Sequence, residues 1–270
     1  MENFIKIEIK TSSSENLEIL IAELSEIDFY AFEQNKNILI AYIVEKKFDE
    51  LKLQETLPNR LNYQSTVIAN RNWNLEWEQG FQPVYINVFA GIRASFHQPL
   101  QNVKYEIIVT PKMSFGTGHH PTTYLMIEQM EGINFRNKTV LDFGTGTGVL
   151  SILSEKLGAS KVIAIDNDEW SMINAVENIK ANDCKVITLE NRDDVKDIDQ
   201  PDIILANINM NVLLINARSI SLISGKGTLL LMSGFLSGDE EAILNSFNTY
   251  GFVKKNETKR DSWISLLMGK

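Results

Sequence analysis

The sequence predicts an α/β protein: a seven-stranded, doubly wound, mostly parallel sheet, preceded by a small α/β unit with its own core. Three observations carry this reading. From about residue 120, short apolar runs alternate with longer segments of helical periodicity, the pattern of parallel strands buried between helices on both faces. One of those runs, "TVLDF", passes directly into a glycine-rich loop and then a helix-like segment. Ahead of it, the first 60 or so residues read strand, helix, strand, strand, helix, which is most of a ferredoxin-like unit.

Residues 3–10 alternate, with Ile5, Ile7 and Ile9 on one face and Lys6, Glu8 and Lys10 on the other, so they predict a half-buried strand. In "SSSENLEILIAELSE", Leu17, Leu20, Ile21 and Leu24 recur at helical spacing behind serines able to cap a helix. "FYAFEQ" and "NILIAYIV" predict two strands joined by a turn at residues 35–37, and a second helix fits residues 46–57, ended by Pro58. Residues 1–65 hold 7 Lys and Arg against 12 Asp and Glu, a net charge of −5, and no cluster of catalytic residue types. A domain at 1–60 that holds a partner is the expectation.

Residues 61–104 are expected to form an interdomain linker. Trp73 and Trp77 fall at i and i+4 on a short predicted helix, as packing residues, and "VYINVFAGIRASF" is strand-like. The main domain is expected at 105–270. After "VKYEIIVTP", it runs through helix "TTYLMIEQM", strand "TVLDF", helix "GVLSILSEKLG", strand "KVIAID", helix "DEWSMINAVENIKAN" and strand "KVITLE". Strand "DIILAN", helix "NVLLINARSISLIS", strand "GTLLLMSG" and helix "GDEEAILNSFNTYG" follow. "FVKKNET" and "SWISLLMG" close the chain as a predicted hairpin, which makes one edge of the sheet antiparallel.

Bulk properties narrow the function classes. At 270 residues, 44% of them hydrophobic, the chain can bury a sizeable core. No apolar stretch approaches the roughly 20 residues of a membrane-spanning helix, and "MENFIKIEIK" is not a signal peptide. One cysteine, Cys184, permits no internal disulfide, so a reducing, cytoplasmic setting and an inert thiol are expected. A net charge of −9 disfavours bare nucleic acid, whose binding relies on Lys and Arg. It favours a basic partner.

The stretch "TVLDFGTGTGVL" carries Gly144, Gly146 and Gly148 in a strand–loop–helix setting. Glycines there let the backbone approach a ligand, and the following helix offers free N–H groups. The dinucleotide fingerprint would need glycine at 149, where Val149 stands, and the Lys of a phosphate-binding loop is absent. The next strand ends at Asp166, about 20 residues on, placed to accept both hydroxyls of a ribose. Loop and acid together resemble the class I methyltransferases, which bind S-adenosylmethionine. The strand "DIILAN" ends at Asn207, followed by Ile208 and Asn209. In that class the residues after this strand face the transferred methyl, so Asn207 can hold the ligand or orient an amine through its carbonyl oxygen.

"SFGTGHHPTT" holds two of the three histidines. His119 and His120 are adjacent and lack a surrounding Cys/His/Asp cluster, which disfavours a metal site. Pro121 suits the first position of a helix, with Thr122 and Thr123 in its first turn. That helix start can receive a carboxylate, and the glycines suggest a hinged loop that folds over the cofactor.

"FGTGHHPTT", "VLDFGTGTGVL", "AIDND", "LANIN" and "LMSGFL" together resemble the PrmA family, the methyltransferases of ribosomal protein L11. The likeness covers about residues 105–270, and the N-terminal part agrees in size and order. It departs at His119, where many members have Thr, and at Thr145, where Cys is common. The resemblance implies several methyl transfers to lysine ε-amines and the α-amine of that one protein, free or ribosome-bound. It also implies that the N-terminal domain recognises the substrate. Matched position by position, it implies S-adenosylmethionine contacts at Thr123, Gly144, Asp166 and Asn207, with Gly146 and Gly148 shaping the loop and Asn207 as the catalytic residue. A lysine amine, with a pKa of about 10.4, must lose a proton before it attacks. Proximity to a cationic sulfonium lowers that pKa, and water is the expected base. On residues alone, a methyltransferase of RNA or small molecules, and a non-catalytic S-adenosylmethionine-binding module, remain open.

Overall fold

The computed structural model describes residues 3–10, 15–35, 38–57, 63–68, 81–111 and 116–270. The chain divides into two compact units, 1–81 and 82–270.

In the first unit, β1 (Phe4–Lys10), α1 (Glu15–Glu26), β2 (Ala31–Asn35), β3 (Ile38–Val44), α2 (Glu50–Thr56) and β4 (Tyr63–Ile68) follow one another. The sheet order is β2-β3-β1-β4, with every pair antiparallel. The alternation of β1 puts Ile5, Ile7 and Ile9 into a core with Leu20 and Leu24 of α1, Leu39 of β3 and Leu53 of α2. The helix expected at 46–57 is shorter. Residues Glu45–Lys47 make a separate 3-10 turn, and α2 starts only after Asp49, whose side chain accepts from the N–H groups of Leu51 and Lys52. This is an N-cap, and it satisfies donors that a longer helix would leave in the preceding turn. The capping serines 12–14, the turn at residues 36–37, Pro58, Trp73 and Trp77 lie outside the described residues.

The second unit opens earlier than the sequence suggested. Residues 82–104, expected within a linker, are built into a three-stranded sheet. In it β5 (Val84–Ile86) pairs antiparallel with β6 (Ala90–Ala94), and β6 pairs parallel with β7 (Tyr105–Val109). Every residue of β6 is buried, so this segment packs as core rather than spanning between domains. β4, also in the expected linker, belongs to the first sheet.

The main sheet contains all seven predicted strands: β8 (Thr139–Phe143), β9 (Lys161–Asp166), β10 (Ile187–Asn191), β11 (Ile203–Asn207), β12 (Leu229–Leu236), β13 (Val253–Arg260) and β14 (Trp263–Gly269). Their order is β10-β9-β8-β11-β12-β14-β13. The first five run parallel, and β14 is antiparallel to both β12 and β13, as the predicted hairpin requires. The helices are α3 (Pro121–Met130), α4 (Val149–Lys156), α5 (Glu169–Ala181), α6 (Met210–Ile223) and α7 (Glu240–Thr249). Among the described residues no helix is long and apolar enough to cross a membrane.

The small sheet is tied down by an asparagine ladder. Asn174 and Asn178 of α5 and its cap, Asn182, are spaced four apart and so share one face. Asn182 exchanges two hydrogen bonds with the backbone of Ile108, at 3.0 and 2.7 Å. Asn178 accepts from Thr110 N at 2.7 Å, and Asn174 donates to Thr110 O at 3.0 Å. A strand edge that would otherwise leave its peptide groups unpaired is satisfied by side-chain amides that mimic a neighbouring strand.

Candidate active site

Strand order reverses between β8 and β11: the chain runs outward from β8 to β10 on one side and from β11 to β12 on the other. Ligands of doubly wound sheets bind at the carboxyl ends of strands flanking such a switch. Here those ends are Gly144, just after β8, Asp166, the last residue of β9, and Asn207, the last of β11.

Gly144, Gly146, Asp166 and Asn207 line one cavity of about 340 Å³, with Phe143 and Ile208 among its apolar walls. All three loop glycines have positive φ (76°, 53° and 80°), and Gly148 is the left-handed N-cap of α4. Side chains other than glycine pay roughly 1–2 kcal/mol in that region. The peptide of Gly146 donates to Asp166 Oδ2 at 2.8 Å, and Asp168 N donates to Oδ1 at 3.0 Å. The carboxylate therefore faces the cavity from a fixed position.

Thr123 is fully buried in the first turn of α3 and lies beside Asn207, whose Nδ2 donates to Thr123 Oγ1 at 3.3 Å. In this orientation the other end of the amide, Oδ1, is left as the acceptor. That oxygen is buried and, among the described residues, has no hydrogen-bond partner. Leaving such an acceptor unmet costs about 1–3 kcal/mol, the mark of a group that a donor is meant to satisfy.

The histidine loop is more anchored than a free hinge. Thr147 Oγ1, in the glycine loop, donates to Gly116 O at 2.8 Å. A Cβ on Gly116 would come within 2.7 Å of that hydroxyl, and one on Gly118 within 2.5 Å of Ile92 Cδ1. Residues 112–115 lie outside the described residues. The two histidines do diverge. His119 Nε2 lies 3.0 Å from Gln82 O, whereas His120 caps α3, its Nδ1 accepting from Thr122 N at 3.3 Å, with its ring edge-on to Trp263. Burial lowers the His120 pKa, keeping the capping ring neutral. Pro121 and both threonines start α3 as anticipated, but His120 already occupies one of the N–H groups expected to receive a carboxylate.

Sequence reasoning passed over the support beneath the loop. Asp142, fully buried in β8, accepts from Thr145 Oγ1 at 2.7 Å and Ser151 Oγ at 2.6 Å, while among the described residues its Oδ1 has no partner. Burial pushes its pKa up to about 6 against those two hydrogen bonds. The signal was an acid inside, rather than at the end of, an otherwise apolar strand. Ser151 had no such signal.

The residues fit a nucleoside bearing an amino acid. A carboxylate suits ribose hydroxyls, a glycine cradle admits a ligand against the backbone, and an unmet amide oxygen awaits an N–H. Fold and site together define a methyltransferase of the class I, Rossmann-like kind. The family model for the ribosomal protein L11 methyltransferase (PrmA) matches residues 6–270, and the chain belongs to that family. Relatives named ribosomal protein L11 methyltransferase include one from Porphyromonas gingivalis, 39% identical over 92% of this chain and 89% of the relative. Another, from Chlorobaculum parvum, is 36% identical over 94% and 93%. A crystal structure of ribosomal protein L11 methylase from Lactobacillus delbrueckii subsp. bulgaricus superimposes with a TM-score of 0.65 at 27% identity, covering 70% of this chain and 99% of the other.

Proposed function

We propose that this chain methylates amines of ribosomal protein L11, lysine ε-amines and the N-terminal α-amine, with S-adenosylmethionine as donor. The observation that carries the proposal is Asn207 Oδ1, buried and unmet in a residue that shares its cavity with Gly144, Gly146 and Asp166. In this reading Asp166 holds the ribose, the backbone at Gly144 and Gly146 lies against the cofactor, and Thr123 fixes both the cofactor pocket and the Asn207 amide.

When bound, S-adenosylmethionine supplies an electrophilic methyl on a cationic sulfur. The residues of the chain do the rest. Asn207 Oδ1 would accept an N–H from the neutral acceptor amine and so hold the nitrogen lone pair toward the donor; alignment of this kind is the main demand of in-line transfer. The amine loses a proton before attack, and the methylated product loses another before a second round. Asp166 is engaged by two peptide N–H groups and, in this reading, by the ribose, and the protons are assigned to water.

The first unit is read as the substrate-recognition domain, ferredoxin-like in its strand order and acidic enough to attract a lysine-rich protein. The setting proposed is the cytoplasm. The test is intact-mass analysis of purified L11 after incubation with this protein and S-adenosylmethionine, followed by peptide mapping of the modified amines. A ladder of methyl additions on lysines is expected. An unmodified L11 in the presence of bound cofactor would send the substrate search to other ribosomal components. Additions only at the α-amine would remove the lysine assignment.

A further inference from the structure

We infer that Ile208 is a positioning residue, a wedge seated between two glycines that fixes Asn207 relative to the cofactor loop. The part assigned to Asn207 rests on the proposed function; the wedge itself rests on geometry.

β11 lies between β8 and β12, and Asn207 is in register with Ser233 of β12. One residue further on, Ile208 is flanked by glycine on both sides: Gly144, just beyond β8, and Gly234, inside the irregularity that shifts the β12–β14 register between Met232 and Phe235. A Cβ at Gly144 would sit 2.3 Å from Ile208 Cγ2. A Cβ at Gly234 would sit 2.2 Å from Ile208 O and 2.6 Å from its carbonyl carbon. The side chain thus rests on one glycine and the peptide on the other. Both glycines have positive φ, 76° and 100°, so neither place is open to an ordinary residue.

Among the described residues the Asn207 side chain makes one hydrogen bond, to Thr123 at 3.3 Å, and the next residue but one, Asn209, is committed to capping α6 by accepting from Val212 N at 3.1 Å. Ile208 is the link that the sheet holds on both sides. The pairing also couples the two halves of the site, because any movement of the Gly144 backbone presses on the Cγ2 methyl next to Asn207.

Ordinary core packing makes a different forecast, since Ile208 also packs against the main core. For packing alone, Ile208→Leu, which conserves volume, should be tolerated at least as well as Ile208→Val, which loses a methyl group. For the wedge, branching at Cβ decides: Val keeps Cγ2 and Leu does not.

The experiment compares the two variants by kcat and KM on L11, by S-adenosylmethionine affinity, and by the Asn207 side-chain amide resonance in ligand-free 15N-labelled protein. Expected for Leu is a kcat lowered about tenfold or more, with KM for L11 within about twofold and the resonance shifted; Val should stay within about threefold of the unaltered protein. A second pair, Gly144→Ala alone and with Ile208→Ala, should show partial recovery of cofactor affinity in the double variant, because the clashing methyl is gone. Equal behaviour of Leu and Val, an unmoved resonance in both, or no recovery in the double variant overturns the wedge. If the unaltered protein leaves L11 unmethylated, the proposed function fails, and the resonance, which needs no substrate, still judges the wedge.

Discussion

Asp166 closes the glycine loop from the neighbouring strand: its Oδ2 accepts the Gly146 N–H at 2.8 Å across twenty residues of sequence. The carboxylate therefore has two duties in the proposed reading, holding the loop in its curved form and receiving the ribose. Asp166→Ala removes both and should weaken S-adenosylmethionine binding by roughly ten- to a hundredfold, the range for a lost hydrogen bond to a charged group. Asp166→Asn keeps one acceptor for Gly146 and should fall between. Titration calorimetry reads the difference, and unaltered affinity in the alanine variant would remove Asp166 from the cofactor site.

Asn207→Ala should separate turnover from folding. Among the described residues the side chain makes a single hydrogen bond and carries an unmet oxygen, so its loss removes little native-state stabilisation and relieves an orphan acceptor. A kcat reduced about a hundredfold, with a melting temperature close to that of the unaltered protein, is the expected result. It is checked by single-turnover methyl transfer beside thermal melting. A normal rate would exclude Asn207 from the chemistry.

Asp142 gives stability a specific pH dependence. Its folded pKa, pushed up to about 6 by burial, lies above the ordinary value of 3.8. Between about pH 4 and 6 the folded protein then holds a proton that the unfolded chain has released, so stability falls as pH rises through this window. The full effect is on the order of 3 kcal/mol. Urea titrations from pH 4 to 7 should show that decline, and Asp142→Asn, which cannot ionise, should flatten it.

Asn178 bridges the small sheet and the glycine loop, donating to Thr147 O at 2.8 Å while accepting from Thr110 N at 2.7 Å. It is fully buried, so Asn178→Ala orphans two peptide groups and should destabilise the protein by about 2–4 kcal/mol. Cofactor affinity should drop as well, because Thr147 lies in the loop. Chemical denaturation and calorimetry on the same sample test both halves.

Burial pushes the Cys184 thiol up to about 11. At pH 8 its alkylation by iodoacetamide should be at least about a hundredfold slower than that of free cysteine, since only the thiolate reacts. Mass spectrometry of a time course measures it. Rapid labelling of the folded protein would show that the thiol is accessible and ionised.

Much of the fold was legible because its signals are local. Alternation exposed β1, short apolar runs between helical segments exposed β8 to β12, and the glycine loop with Asp166 and Asn207 marked three strand ends that meet in one cavity. β4 was missed: its segment, "YQSTVI", has no clean period, and as an edge strand its side chains at residues 64–67 are exposed. β6 was taken for part of a linker. It is buried on both faces, so it shows no alternation from which a sheet could be inferred.

The sequence by itself determined the strands and helices of the main sheet, and which cofactor chemistry the glycine loop can serve. Those properties depend on periodicity, on residues able to adopt positive φ, and on the acid that follows about one strand–helix unit later. Tertiary structure alone decided that Thr123 meets Asn207 across 84 residues, that two asparagines of α5 and its cap Asn182 stand in for a missing strand, and that Ile208 rests between Gly144 and Gly234. Such meetings are set by strand order and by which side chains fill the space between elements. Neither leaves a mark in the spacing of a single segment, because the partners lie on separate elements far apart in the chain.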